Sequence, residues 1–295
     1  MRSEKEMFEL ILGVAERDDR IRAVFMNGSR ADANSRKDIF QDYDIVYVVT
    51  DTAPFLSDPS FTDVFGEKLI SEEPDKLDRS VGMDIDFADG YTYLMQFTDG
   101  NRIDLHLSPL KSAERDFLSD PPMVKLLDKD GLLPPVPESA NAKYIVARPT
   151  AEQVNACCVD FWWTAPYCAK GLWRDELLYA NKILSSCVRE HLVEMLDWLV
   201  GVSSDFTVST GKASKYLKLL LSADDYGALL KTFSSSSVQD AWEALLCACR
   251  LFDSAARRVC SALGLAYDEK SAASSMSFIK HIKELPGSAK EIYRQ

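Results

Sequence analysis

A chain of 295 residues, 46% hydrophobic and 27% charged, has the composition of a globular protein and enough length for one large core or two ordinary ones. Its 46 acidic against 34 basic residues give a net charge of -12, which argues against a nucleic-acid partner and suits a polycationic small molecule, whose local concentration an acidic cleft raises. No stretch reaches the about eighteen apolar residues of a membrane span, and the N-terminus, with Arg2, Glu4, Lys5 and Glu6, lacks the apolar region of a signal peptide.

Residues 3–17 read as a helix, opened by a Ser3/Glu6 capping box, with Phe8, Ile11, Leu12 and Ala15 at helical spacing. A buried strand follows at 20–27, then a polar stretch, 29–41, holding one short helix and a loop. Residues 42–49 form the next strand, 51–59 a loop and 61–69 a short helix, while the acidic stretch 72–89 has no clear period. Two strands, 91–98 and 102–107, are joined at Asp99-Gly100-Asn101, a tight-turn sequence because Asp-Gly tolerates positive φ. Residues 111–128 read as helical, and 131–137, with three prolines, as a linker.

Beyond Thr150 only helices are predicted. Thr150 and Gln153 form a capping box, and Val154, Cys157, Cys158, Phe161, Ala165 and Ala169 make one apolar stripe. Pro166 falls inside that pattern and is expected to kink or end the helix. Further helices are predicted at 174–200, closed by Gly201, and at 211–221, 223–233, 238–263 and 271–285. The seven cysteines, all in the second half and none in a C-x-x-C pair, read as reduced thiols of a cytosolic protein. His106, His191 and His281 are too scattered in sequence to indicate a zinc site. The reading is α+β: a domain of strands and helices at 1–145 followed by an all-helical domain at 146–295.

The stretch 22–49 organises the chemistry. Its first apolar run ends in Gly28-Ser29-Arg30, and twelve residues separate Ser29 from Asp42-Tyr43-Asp44, which opens the second run. Residues i and i+2 of a strand share a face, so Asp42 and Asp44 project together and repel unless a cation lies between them. Mg²⁺ is the usual answer, since it takes oxygen ligands and shares them with phosphates. Gly28 lets backbone N–H groups approach a phosphate, and Ser29 adds a hydroxyl donor. Arg30 reads equally as a phosphate ligand or as a surface charge.

Gly-Ser, a spacer and Asp-x-Asp at the head of a strand resemble the nucleotidyltransferase superfamily, which implies a small mixed sheet backed by helices for residues 1–145 and a third carboxylate on a later strand. Ile103-Asp104-Leu105 fits that position. The wider wording, RSEKEM, GSR, QDYDI, DGNRIDLHL, ARPT at 147–150 and FWW…AKGLWRDELLYA, resembles the aminoglycoside 6-adenylyltransferases from Met1 to at least Leu220. The resemblance implies ATP as donor, Mg²⁺ held by Asp42, Asp44 and Asp104, and the streptomycin 6-hydroxyl as acceptor. Gly28, Ser29 and Arg30, with Lys170 and Lys212, are the candidate phosphate-binding residues. Lys212 follows Gly211 at an expected helix N-terminus, where anions bind readily. Trp163, Tyr167 and Lys170 lie opposite the cysteine stripe; Trp163 and Tyr167, with Trp173, Asp160 and Asp175, are candidates for binding the acceptor's cationic groups. Glu176 and Asp104 compete for the role of general base. Two other readings stay open: the same chemistry on another aminoglycoside, a lincosamide or a protein hydroxyl, and a non-catalytic nucleotide-binding module. Oligomeric state is not legible.

Overall fold

The computed structural model describes residues 1–32, 35–137, 144–233 and 235–293. The chain forms two compact units, Met1–Lys143 and Tyr144–Gln295.

The first unit opens with α1 (Glu4–Arg17), started by the Ser3/Glu6 capping box. Then follow β1 (Ile21–Asn27), the single turn α2 (Gly28–Ala31), β2 (Tyr43–Val49), the short α3 (Ala53–Leu56), a 3₁₀ turn at Phe61–Phe65, β3 (Lys68–Glu72) and α4 (Pro74–Ser80). The hairpin β4 (Tyr91–Phe97) and β5 (Arg102–Pro109), α5 (Ala113–Ser119) and β6 (Val124–Asp128) complete it. The six strands lie in the order β3-β4-β5-β2-β1-β6. Pairing is antiparallel except between β2 and β5, which run parallel. The expected hairpin turn is present, with Gly100 at φ +89° and Asp99 accepting from the Asn101 N–H at 2.9 Å.

Strand alternation gives the sheet two apolar faces. Val24, Met26, Ile45 and Tyr47 pack on one side with Met7, Ile11 and Ala15 of α1. Ala23, Phe25, Val46 and Val48 pack on the other with Ala113 and Phe117 of α5. The expected helix over 111–128 is corrected: α5 stops at Ser119, and Pro121-Pro122, which supply no N–H donors, separate it from β6, which pairs with β1. The expected helix at 61–69 is likewise a 3₁₀ turn followed by the start of β3.

The second unit comprises α6 (Ala151–Trp173), α7 (Leu177–Ile183), a π-helical turn at Leu184–Val188, α8 (Arg189–Ser203), α9 (Leu217–Leu220), α10 (Ala223–Lys231), α11 (Val238–Leu263) and α12 (Glu269–Glu284). The single helix expected at 174–200 is therefore two helices around a π turn. Gly201 does not close α8; a Cβ there would lie 2.5 Å from the Phe206 ring, so the glycine serves close packing. α11 runs as predicted, from Ser237 as N-cap to left-handed Gly264. Pro166 does not end α6 either. It leaves the Trp162 carbonyl without its intrahelical donor, and the Ser275 hydroxyl of α12 donates to that carbonyl at 2.8 Å. All seven cysteines are free thiols, five of them buried. No helix among the described residues is long and apolar enough to cross a membrane.

Candidate active site

The parallel pairing of β2 with β5 sets Asp44 directly beside Asp104 in register. Asp42, two residues before Asp44, follows the pleat to the same face. That face is the one covered by α5 further along the strands, over Phe25, Val46 and Val48. Arg102, two residues before Asp104, closes the group. Its Nε lies 2.7 Å from Asp104 Oδ1 and its Nη2 2.9 Å from Oδ2, while the same Nε is 3.8 Å from Asp42 Oδ2. The sheet thus brings the three predicted carboxylates together, and adds a cation between two of them.

One guanidinium does not balance this charge. Among the described residues Arg102 brings one positive charge to three carboxylates, so their mutual repulsion is offset only in part. Asp44 shows the residue of that imbalance. Burial, then the charges of Asp104, Asp42 and Asp120, push its carboxyl up to about 6. Asp42 is also raised, by burial and Asp104, against the opposing pull of Arg102. A cluster of carboxylate oxygens that remains short of positive charge is a donor set suited to a hard divalent cation such as Mg²⁺.

Gly28 is required here for a concrete reason. It adopts φ +74°, and a Cβ on it would lie 1.9 Å from Asp44 Oδ2. The glycine makes room for the carboxylate itself. Beside it, Asn27 is buried, pairs in register with Asp44 across β1–β2, and its Oδ1 has no hydrogen-bond partner among the described residues. Ser29 is fixed through its carbonyl, which accepts from Gln41 Nε2 at 3.0 Å. Arg30 is neither free surface charge nor open ligand. Its guanidinium donates to the carbonyls of Asp42 (3.1 Å) and Gln41 (2.9 Å), lies 3.9 Å from the Tyr43 ring centroid, and so holds the approach to β2 in place.

Sequence reasoning missed Arg102, Asn27 and Asp120. Arg102 had a readable signal, since its i, i+2 spacing to Asp104 puts both on one face. Asp120 had none, because its place depends on where α5 ends.

In the helical unit, Asp160, Trp163 and Tyr167 are exposed on α6. Trp163, Tyr167 and Lys170 border one groove of about 590 Å³ between α6 and α12, with Tyr267, Asp268 and Phe278 opposite. The Lys170 ammonium lies 5.5 Å from the Tyr167 ring centroid and 5.7 Å from that of Phe278. Trp173 is packed against the helical core and donates its indole N–H to the Leu285 carbonyl at 3.1 Å. Asp175 takes a left-handed φ of 61° after α6, and exposed Glu176 is the N-cap of the short α7. The helix N-terminus expected at Lys212 is corrected: exposed Lys212 sits in a 3₁₀ turn with left-handed Ala213 and Ser214, and α9 begins only at Leu217. Ser214 of that turn donates to Asp197 Oδ2 at 2.7 Å. One histidine also has unexpected company: Cys157, His191 and Glu194 bring three ligand atoms within 4.8 Å of one another, where a closed structural zinc site takes four.

A six-stranded mixed sheet carrying three convergent aspartates beside a Gly-Ser turn is the architecture of a nucleotidyltransferase. The sequence profile of the family described as streptomycin adenylyltransferase matches residues 1–282. The chain is 37% identical to an aminoglycoside 6-adenylyltransferase of Campylobacter jejuni over 92% of its length and 93% of the relative's. It is 34% identical to that of Bacillus subtilis (strain 168), covering 91% and 94%, and 33% identical to that of Staphylococcus aureus, covering 85% and 89%. The crystal structure of an aminoglycoside 6-adenyltransferase from Bacillus subtilis aligns over 97% of this chain and 100% of that one, with 30% identity and a TM-score of 0.47. The chain belongs to the streptomycin adenylyltransferase family.

Proposed function

We propose that this protein transfers AMP from ATP to a hydroxyl of an aminoglycoside, with the 6-hydroxyl of streptomycin as the acceptor, and so confers resistance to it. The observation that carries the chemistry is the in-register pair Asp44 and Asp104, with Asp42 on the same face and Gly28 shaped around Asp44. The names of the relatives and the acidic charge of the chain support the acceptor class. In this reading residues 1–145 carry the transfer and 146–295 the substrate recognition.

Asp42, Asp44 and Asp104 are the residues that would hold Mg²⁺, which supplies Lewis-acid activation of the acceptor hydroxyl and charge neutralisation on the triphosphate. The acceptor oxygen attacks the α-phosphorus, the bond to the β-phosphate oxygen breaks, and pyrophosphate leaves with its electrons. The hydroxyl proton passes to a carboxylate, Glu176 or Asp104. Gly28 and Ser29 present donors to the β- and γ-phosphates, while Arg30, through the carbonyls of Gln41 and Asp42, keeps the Asp-x-Asp segment in place. Lys170 is the helical unit's candidate cation for the phosphates, and Asp160, Asp175 and the aromatic rings of Trp163 and Tyr167 are its candidates for the cationic acceptor.

The test is incubation with labelled ATP, Mg²⁺ and a panel of aminoglycosides and a lincosamide. Pyrophosphate release with streptomycin, and an AMP adduct on its 6-hydroxyl, are expected. Release with a different acceptor alone moves the specificity elsewhere, and release with none defeats the transferase reading.

A further inference from the structure

The site contains two arginines with opposite freedoms. Arg30 is held by two backbone carbonyls and an aromatic ring, and its side chain is 10% exposed. The Arg102 side chain is 39% exposed, and among the described residues its hydrogen bonds and ion pairs go to carboxylates: both oxygens of Asp104, and Asp42 at longer range. The fork on Asp104 is a charge-assisted, two-point contact, but its exposure leaves it open to water and to a competing cation. It also takes up both oxygens of Asp104, which a divalent cation held by that carboxylate would need, and a guanidinium beside a doubly charged ion is repelled by it. The triphosphate that accompanies that ion offers paired oxygen acceptors that the planar fork of an arginine fits in a bidentate manner.

We infer that Arg102 is the built-in counter-ion of the carboxylate cluster and changes partners during the catalytic cycle. Without metal it keeps Asp42 and Asp104 converged. When a metal–nucleotide complex binds, it releases the carboxylates and turns its guanidinium to the triphosphate. Arg102 is thus a stand-in for the metal's charge and then a ligand of the nucleotide. The inference rests on the metal-binding reading of Asp42, Asp44 and Asp104.

Two equilibrium measurements on the full chain test it, neither using turnover. The first is Mn²⁺ binding without nucleotide, followed by the electron paramagnetic resonance of free Mn²⁺. The second is calorimetric binding of α,β-methylene-ATP in the presence of Mg²⁺. Arg102→Gln is expected to bind bare Mn²⁺ about fivefold more tightly than the wild type, because a competing cation is gone, and to bind the nucleotide analogue about tenfold more weakly. Arg102→Lys, which keeps the charge but loses the fork, should leave Mn²⁺ affinity near wild type and still weaken the nucleotide; it also guards against a folding defect in the glutamine variant. Unchanged or weaker Mn²⁺ binding in Arg102→Gln overturns the counter-ion role, and unchanged analogue affinity overturns the exchange of partners. Asp44→Asn with its native Arg102 separates the two levels. Mn²⁺ binding lost in that variant while Arg102→Gln behaves as wild type defeats this inference alone. Mn²⁺ binding retained in it removes the metal site on which the inference stands.

Discussion

The sheet unit and the helical unit fix their polar groups by different means. In the sheet, backbone register does the work: Asp44 stands beside Asp104 because two parallel strands pair residue for residue, and the pleat adds Asp42 and Arg102 to the same face. In the helical unit, the polar and aromatic candidates ride on exposed helix faces and turns, as with Trp163 and Lys212, where the backbone sets a direction but not a partner. Groups that must meet a metal within a fraction of an ångström belong on the first kind of scaffold, and groups that grip a flexible ligand suit the second.

The sharpest way to break this contrast is at the register pair. Asp104→Asn keeps the shape and removes the charge, and should lower AMP transfer on the order of a thousandfold while shifting the melting temperature by no more than a few degrees. Steady-state pyrophosphate release and a thermal melt of the same preparation check it; turnover within tenfold of wild type would take Asp104 out of the reaction. Next comes Gly28→Ala. The added Cβ meets Asp44 Oδ2 at 1.9 Å, and the positive φ strains any side chain, so the carboxylate must move. Stability should fall by about 2 kcal/mol, and activity should fall beyond what the loss of folded protein explains. A variant with reduced stability but full activity per folded molecule would separate Gly28 from the placement of Asp44.

The sheet also explains what could and could not be read in advance. Asp42, Asp44 and Gly28 were legible because strand period and glycine geometry are local, and the hairpin at Asp99-Gly100-Asn101 announced β5. Pairing of the Asp104 strand with the Asp42 strand was suggested by the need to bring three carboxylates together, but its parallel direction was not legible, since no local pattern states which way two strands run. The same limit hid β6: Val124–Asp128 has an unremarkable pattern, and only the open edge of β1 makes it a strand. In the helical unit the long helices followed from their caps and stripes. The π turn at Leu184–Val188 and the passage of α6 through Pro166 did not, because each depends on neighbouring helices that the sequence does not order in space.

A pH titration sharpens the electrostatic half of the comparison. The folded protein retains the Asp44 proton up to about pH 6, whereas the unfolded chain releases it near 3.8. Between those values the folded state binds more protons, so this group's contribution to stability falls as pH rises through the window. In chelator, Asp44→Asn should therefore melt above the wild type at pH 7 and higher by a few degrees, and the advantage should vanish below about pH 4. An advantage that is independent of pH would mean that the asparagine stabilises by packing and not by removing a charge.

The smallest expected effect lies in the helical unit, at the junction of α6 and α12. Pro166 deprives the Trp162 carbonyl of its backbone donor, and the Ser275 hydroxyl replaces it. Ser275→Ala should cost about 1 kcal/mol, the worth of one partly buried hydrogen bond. That cost should nearly disappear in a Pro166→Ala background, because the restored N–H of residue 166 then reaches the same carbonyl within the helix. The double-mutant cycle, read from denaturant unfolding, distinguishes this from a general packing role for the serine: equal costs in both backgrounds would show that the hydroxyl serves something other than the carbonyl left by the proline. A coupling near 1 kcal/mol would show that the helical unit compensates a local backbone defect with a side chain from another helix, whereas the sheet unit places its aspartates by backbone register.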